Sequence, residues 1–448
     1  MEALTADTKA RIDNVGEESM ETVEPLTNYT LARVQKDFNR GNSILGAAMT
    51  SAIRKVDGTS MDYLHNNATT GGVDFTQYFK DRNYMLNTSF FLSNVQGSTD
   101  AISRTQQSSA RYFQRPDADH VELDETRTSL SGVGGKLEFG KIGGNWNFLF
   151  MNIFKSPGLE LNDMGYMQLA DNVLRVLWTG FNFTEPFSIF RRLNLNNDVY
   201  LCNDFGGHIN GIGYEYNLHA SFKNYWGAGI GGGFNFMEVS NRMLRGGPAM
   251  QMPNNGRIRL HLMSDDRKAI SGGTFVRFSW GSEDSHQRNS YSLFMTFRPM
   301  NTLSISLFPS YSHNREELQY VTQTSMEDDP RYVFGSIDQK VLSMSLRINF
   351  NITPDLTIQY WGQPFTASGD YSDFKMITDS RADQYSDRFH VYSDDQISLV
   401  EGNYLIDENL DSNVDYSFEN PDFTVNEWLS NLVVRWEFLP GSTAYLVW

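Results

Sequence analysis

From Leu342 to Phe350 apolar and polar residues take strict turns: Leu342, Met344, Leu346, Ile348 and Phe350 alternate with Ser343, Ser345, Arg347 and Asn349. In an extended chain successive side chains point to opposite faces, so this period predicts a strand with one greasy and one wet face. The same pattern recurs at Tyr291/Leu293/Met295/Phe297, Leu303-Ser-Ile-Ser-Leu307, Leu356-Thr-Ile-Gln-Tyr360 and Leu432/Val434/Trp436/Phe438. Segments of this kind number about 18. They fall near 28–36, 42–53, 71–79, 83–94, 130–139, 144–154, 173–183, 189–203, 209–220, 225–238, 256–264, 271–281, 289–298, 302–313, 339–350, 355–364, 428–438 and 442–448. Many have the roughly 9–11 residues with which a tilted strand crosses a bilayer.

The connections alternate as well. Tight ones carry turn chemistry, as in Asp37-Phe-Asn-Arg-Gly41, Lys141-Ile-Gly-Gly144, Arg298-Pro-Met-Asn301, Ile352-Thr-Pro-Asp355 and Leu439-Pro-Gly-Ser442. Between them lie long polar stretches near 54–70, 95–129, 155–172, 239–255, 314–338 and 365–427. Short turns at one rim and long loops at the other mark outer-membrane barrels. Arg277, Arg347 and Arg435 on the polar faces would be costly in a dry core and cost little in a hydrated lumen.

The expectation is therefore an all-β chain: one large antiparallel transmembrane β-barrel over 1–448, with short periplasmic turns and long extracellular loops. Its place is the cell outer membrane and its first partner outer-membrane lipid. A soluble all-β protein with an aromatic core is the competing reading. The 31 Phe, 21 Tyr and 8 Trp gather near segment ends, where interfacial girdles use them.

Nowhere does an apolar run approach the roughly 18 residues of a transmembrane helix. A net charge of −17 without a basic run argues against nucleic acid as a partner. The lone Cys202 permits no internal disulfide. The N-terminus has no basic patch followed by an apolar stretch, which in an exported protein points to a start lying further upstream.

Candidate chemistry is sparse. In the acidic loop 401–422, Asp407, Asn409, Asp411, Asn413 and Asp415 recur at every second position, and hard oxygens so spaced could hold calcium. Ser412 stands where an EF-hand needs glycine and Phe418 where it needs a bidentate Glu, so a solvated acidic loop is the favoured reading. The eight histidines are scattered, with His208, His219 and His261 in strand-like surroundings and none at zinc-site spacing. The run Gly227, Gly229, Gly231, Gly232, Gly233 reads as a bulge or close backbone approach, since no Lys-Ser/Thr follows it. No catalytic, cofactor or metal residue is expected.

Several strings resemble the barrel portion of an uncharacterised family of Bacteroidota surface proteins. They are Asn28-Tyr-Thr-Leu-Ala-Arg33 with Gly41-Asn-Ser-Ile-Leu-Gly46, Leu244-Arg245-Gly246-Gly247-Pro248, and Ile352-Thr-Pro-Asp-Leu356. Gln363-Pro-Phe-Thr-Ala-Ser-Gly369-Asp-Tyr-Ser-Asp-Phe374 and Val434-Arg-Trp-Glu-Phe-Leu-Pro-Gly-Ser442 complete the set. The resemblance implies an outer-membrane barrel without established activity, usually following a carbohydrate-binding-module-like domain of family nine. That domain is missing here, and the short last segment Thr443–Trp448 suggests truncation at one or both ends.

What such a chain would do is then anchor, scaffold or form a pore linked to glycan binding or uptake. Alternatives are a surface receptor, holding polysaccharide or a periplasmic or surface protein through loops 314–338 and 365–427, and a glycan hydrolase using loop carboxylates. Leu244 to Pro248 is the feature to test, although a Gly-Gly-Pro turn with Arg245 in a structural pair explains it without a function.

Overall fold

Period-two segments become strands because alternation is the one pattern that keeps all apolar side chains of an extended chain on one side. The computed structural model describes residues 1–14, 17–56 and 58–448, and each of the expected segments overlaps one of its strands. The chain divides into two compact units, one formed by 1–181, 198–213 and 237–252, the other by 182–197, 214–236 and 253–448.

In the first unit β1 (Glu2–Thr5) lies against β4 (Thr27–Phe38), and β2 (Thr8–Asn14) pairs with β3 (Glu17–Glu24) as a separate hairpin. An antiparallel meander then runs β4, β5 (Ser43–Arg54), β6 (Asn67–Phe79), β7 (Tyr84–Gln96), β8 (Ser129–Lys141), β9 (Trp146–Lys155) and β10 (Asn172–Phe183). A short helix, α1 (Thr99–Gln107), follows β7; Ser98 Oγ caps it by accepting from Ala101 N. β11 (Phe190–Asn203), β12 (Ile209–Phe222) and β13 (Gly227–Ser240) each give one end to this unit, where β14 (Met250–Gln251) pairs with β13.

The second unit continues as an antiparallel run. After β13 come β15 (Asn255–Met263), β16 (Ile270–Gly281), β17 (His286–Met300), β18 (Leu303–Met326), β19 (Asp329–Asn351) and β20 (Leu356–Ile377). Beyond the short β21 (Phe389–Val391) and a small sheet of β22 (Ile397–Val400), β23 (Asn403–Ile406) and β24 (Tyr416–Glu419), β25 (Phe423–Leu439) pairs with β20 and β26 (Ser442–Val447) with β25.

Within the strands burial is inverted relative to a water-soluble sheet. On β17 Tyr291, Leu293, Met295 and Phe297 are the exposed positions, while Ser292, Phe294 and Thr296 between them are partly covered. Along β19 the inversion stops: Leu342 is 52% exposed, whereas Ile337 is 5% and Phe334 0%. One strand therefore keeps its apolar side chains outside over one half and inside over the other.

That switch explains where the structure departs from the expected loops. The stretch 314–338 is a hairpin in which β18 and β19 run on through two irregularities, between Glu316 and Gln319 and between Tyr320 and Thr322. They meet at Glu327-Asp328, both with left-handed φ (50° and 71°), as a two-residue turn needs. Its residues follow no two-residue period of exposure, so the alternation could not reveal it. Likewise the ends of 365–427 belong to β20 and β25, and 95–129 contains α1. The rest of 365–427 folds over the end of β19. There Val333, Phe374, Tyr392, Ile406, Tyr416 and Phe418 form a closed apolar cluster.

Candidate functional site

The long connections of the first unit gather at one end of its strands and are fastened by buried charge. The Arg111 guanidinium is fully buried; it donates to Thr105 O (2.8 Å), Leu159 O (2.7 Å) and Glu160 Oε2 (2.7 Å). A buried arginine is tolerated only when paired and hydrogen-bonded, and this one joins the segment after α1 to that after β9. Around the joint Ile102 packs with Val95, Phe113 and Leu130, and Leu159 with Met167 and Ala170.

Beside it opens a cavity of about 730 Å³ whose lining includes Tyr63, His65, Arg104, Asp163, Tyr166 and Gln168. Asp163 accepts from Arg54 Nη1 (2.5 Å) and meets His65 Nδ1 (2.9 Å). Burial pushes its carboxyl up, but the hydrogen bonds and charges of His65 and Arg54 outweigh that and hold it below the usual carboxylate range. His65 Nε2 lies 2.7 Å from Thr105 Oγ1, giving a hydroxyl, imidazole and carboxylate in a row. The row is not a nucleophilic relay. Thr105 is buried in α1 and donates its proton to Ala101 O (2.9 Å), so it accepts from His65. Glu160 and Asp163, each held by an arginine, are likewise poorly placed as the proton donor that glycoside hydrolysis needs.

Leu244 to Pro248 sits at the back of this assembly. Leu244 is buried, Arg245 and Gly246 have left-handed φ (47° and 110°), and a side chain on Gly246 would strike Gln114. Just beyond, Ala249 N donates to Asp117 Oδ2 (2.9 Å), and Arg115 Nε holds the other oxygen of Asp117 (3.2 Å). The string is a clasp between the 241–254 and 108–118 connections. Arg242, two residues earlier, lines both the cavity above and a smaller one of about 270 Å³ with Arg111, Arg115, Asp171 and Glu238.

In the second unit the alternating acids of 401–422 turn toward backbone. Asp407 accepts from Asp411 N and Ser412 N, Asn409 from Asp411 N, and Asp415 from Glu408 N, at 2.7–3.0 Å. The structure does not bring them to one point. Two other sets among the described residues lie close enough to share an ion, Asp119 with His120 and His208, and His120 with Asp171 and Asp204. His208 ends the short turn after β11 rather than lying within a strand. Neither set has a sequence spacing to betray it, since each draws on more than one connection. The Arg259, Arg277 and Arg288 side chains, with His219 and His261, line a polar cavity of about 710 Å³ on the wet face of the second unit's strands.

The profile of a family described as a domain of unknown function, DUF5916, matches residues 1–448. No curated protein matches the sequence. Among solved structures, the siderophore receptor PirA from Acinetobacter baumannii is 8% identical, with 93% of this chain and 72% of that one covered at a TM-score of 0.40. The FrpB iron transporter from Neisseria meningitidis is 7% identical, with 92% and 72% covered at 0.44. OmpT, an outer membrane protein of Vibrio cholerae, is 9% identical, with 94% and 97% covered at 0.24.

Proposed function

The chain belongs to the DUF5916 family, and from that premise we propose that it is an outer-membrane β-barrel that anchors and carries a folded cap of loops, as part of a Bacteroidota surface protein with an upstream carbohydrate-binding module. The observation that carries this reading is the switch on β19. Leaving Leu342, Leu293 and Met295 in water would forgo about 25 cal/mol for each Å² of apolar surface, which a bilayer restores. Closing the antiparallel run into a barrel removes the unpaired edges that a bilayer does not tolerate.

Purified in detergent, the chain should migrate faster on a gel unheated than boiled, and should precipitate when detergent is withdrawn. A monodisperse chain in plain buffer would overturn the reading.

A second reading, a receptor for polysaccharide, is favoured by the open cavity with Tyr63 and the highly exposed Tyr166 at its mouth, because aromatic faces beside Arg, Gln and Asn side chains suit sugars. Tyr166→Ala should weaken retention on a polysaccharide that the parent chain binds by about tenfold, with the gel shift intact. Equal retention by both chains removes the cavity from consideration.

A further inference from the structure

We propose that Asp119, His120 and His208 form a three-ligand binding site for a divalent zinc ion in the first unit. The argument starts at His120. Its Nε2 lies 2.8 Å from Asp171 Oδ2, and Asp171 is buried. A carboxylate can only accept, so the ring proton sits on Nε2 and Nδ1 is left with its lone pair. That Nδ1 is buried and has no hydrogen-bond partner. A carboxylate behind an imidazole whose other nitrogen is free is the arrangement that orients a metal ligand and raises its basicity.

Nδ1 faces two further donors. Asp119 Oδ1 is 3.6 Å away, and one ligand atom from each of Asp119, His120 and His208 falls within a 4.8 Å span. Tetrahedral zinc, with bonds near 2.0–2.1 Å, sets its ligand atoms roughly 3.3 Å apart, so a small inward rotation of the half-exposed His208 completes the set. Two imidazoles and a carboxylate are donors that zinc accepts readily, and three protein ligands leave a fourth position for water or a ligand group.

The backbone is shaped for this approach. Asp171 Oδ1 also accepts from Phe205 N (2.9 Å), and Asp204 accepts from His208 N (2.9 Å) and lies 3.3 Å from His208 Nδ1. The turn after β11 is thus pinned to the carboxylate that orients His120. At its apex stands Gly206, where a Cβ would lie 2.6 Å from His120 Nδ1 and 2.9 Å from His208 Nδ1. Only glycine leaves that space open. All the groups belong to the first unit, and the site is independent of whether the chain lies in a membrane or binds glycan.

The test is calorimetric titration of the full chain in detergent, stripped with chelator, using Zn²⁺ alone. The expected result is one Zn²⁺ per chain. His120→Ala and His208→Ala should abolish it, and Asp171→Asn should weaken it by about 10- to 100-fold, the range for loss of a carboxylate behind a ligating imidazole. Gly206→Ala should weaken it too, by crowding the donors without removing one. His261→Ala, in the second unit's polar cavity, should bind as the parent does, and the unheated gel shift should certify that each variant is folded. No stoichiometric uptake by the parent, or undiminished uptake by folded His120→Ala or His208→Ala, overturns the proposal.

Discussion

Asp163 holds together groups that would otherwise be buried without partners, and its chemistry sets a pH limit on the cap. Its folded carboxyl titrates below the unfolded value of about 3.9, so its contribution is fully present above that pH and is lost as pH falls through the lower, folded value. Amide protection in the 156–171 connection should stay level from neutral pH to about 4 and fall below it. Asp163→Asn should show reduced protection with no such step. An identical profile in both chains would falsify the assignment. None of this was legible in the sequence. Arg54, His65 and Asp163 come from three separate segments, and Arg111 and Glu160 stand 49 positions apart. No spacing rule links them, because the connections meet through tertiary packing alone.

At the scale of the strand, the alternation from Leu342 to Phe350 was enough to place the element and its faces. It gave nothing about Asp329 to Gln339, which continue the same strand under a different rule. From Leu342 onward one face is exposed and apolar. Over Tyr332, Val333, Phe334 and Ile337 the strand is covered on both faces. A strand covered on both faces loses the period on which sequence reading depends. Leu342→Arg should cost up to about 4 kcal/mol in folding into vesicles, according to depth, whereas Ser343→Arg, on the opposite face, should cost far less. Equal costs for the two would mean that both faces meet the same medium.

For the molecule as a whole, the alternation of tight and long connections was legible because turns announce themselves through Gly, Pro, Asn and Asp. The internal folding of the long ones was not, since their contents pack by shape rather than by period. Protease added from outside to cells displaying the chain should cut only within the long connections, such as 108–128 and 401–415. Cuts at 298–301 or 352–355 would reverse the orientation. The 24-residue β18 also has a consequence for reach. In the proposed barrel about 10 of its residues would cross the hydrocarbon, and the remainder, at about 3.3 Å each, would extend the hairpin by roughly 45 Å. Braced by its own apolar cluster, that extension would be a spacer of fixed length and would set how far from the bilayer anything seated on its tip is held.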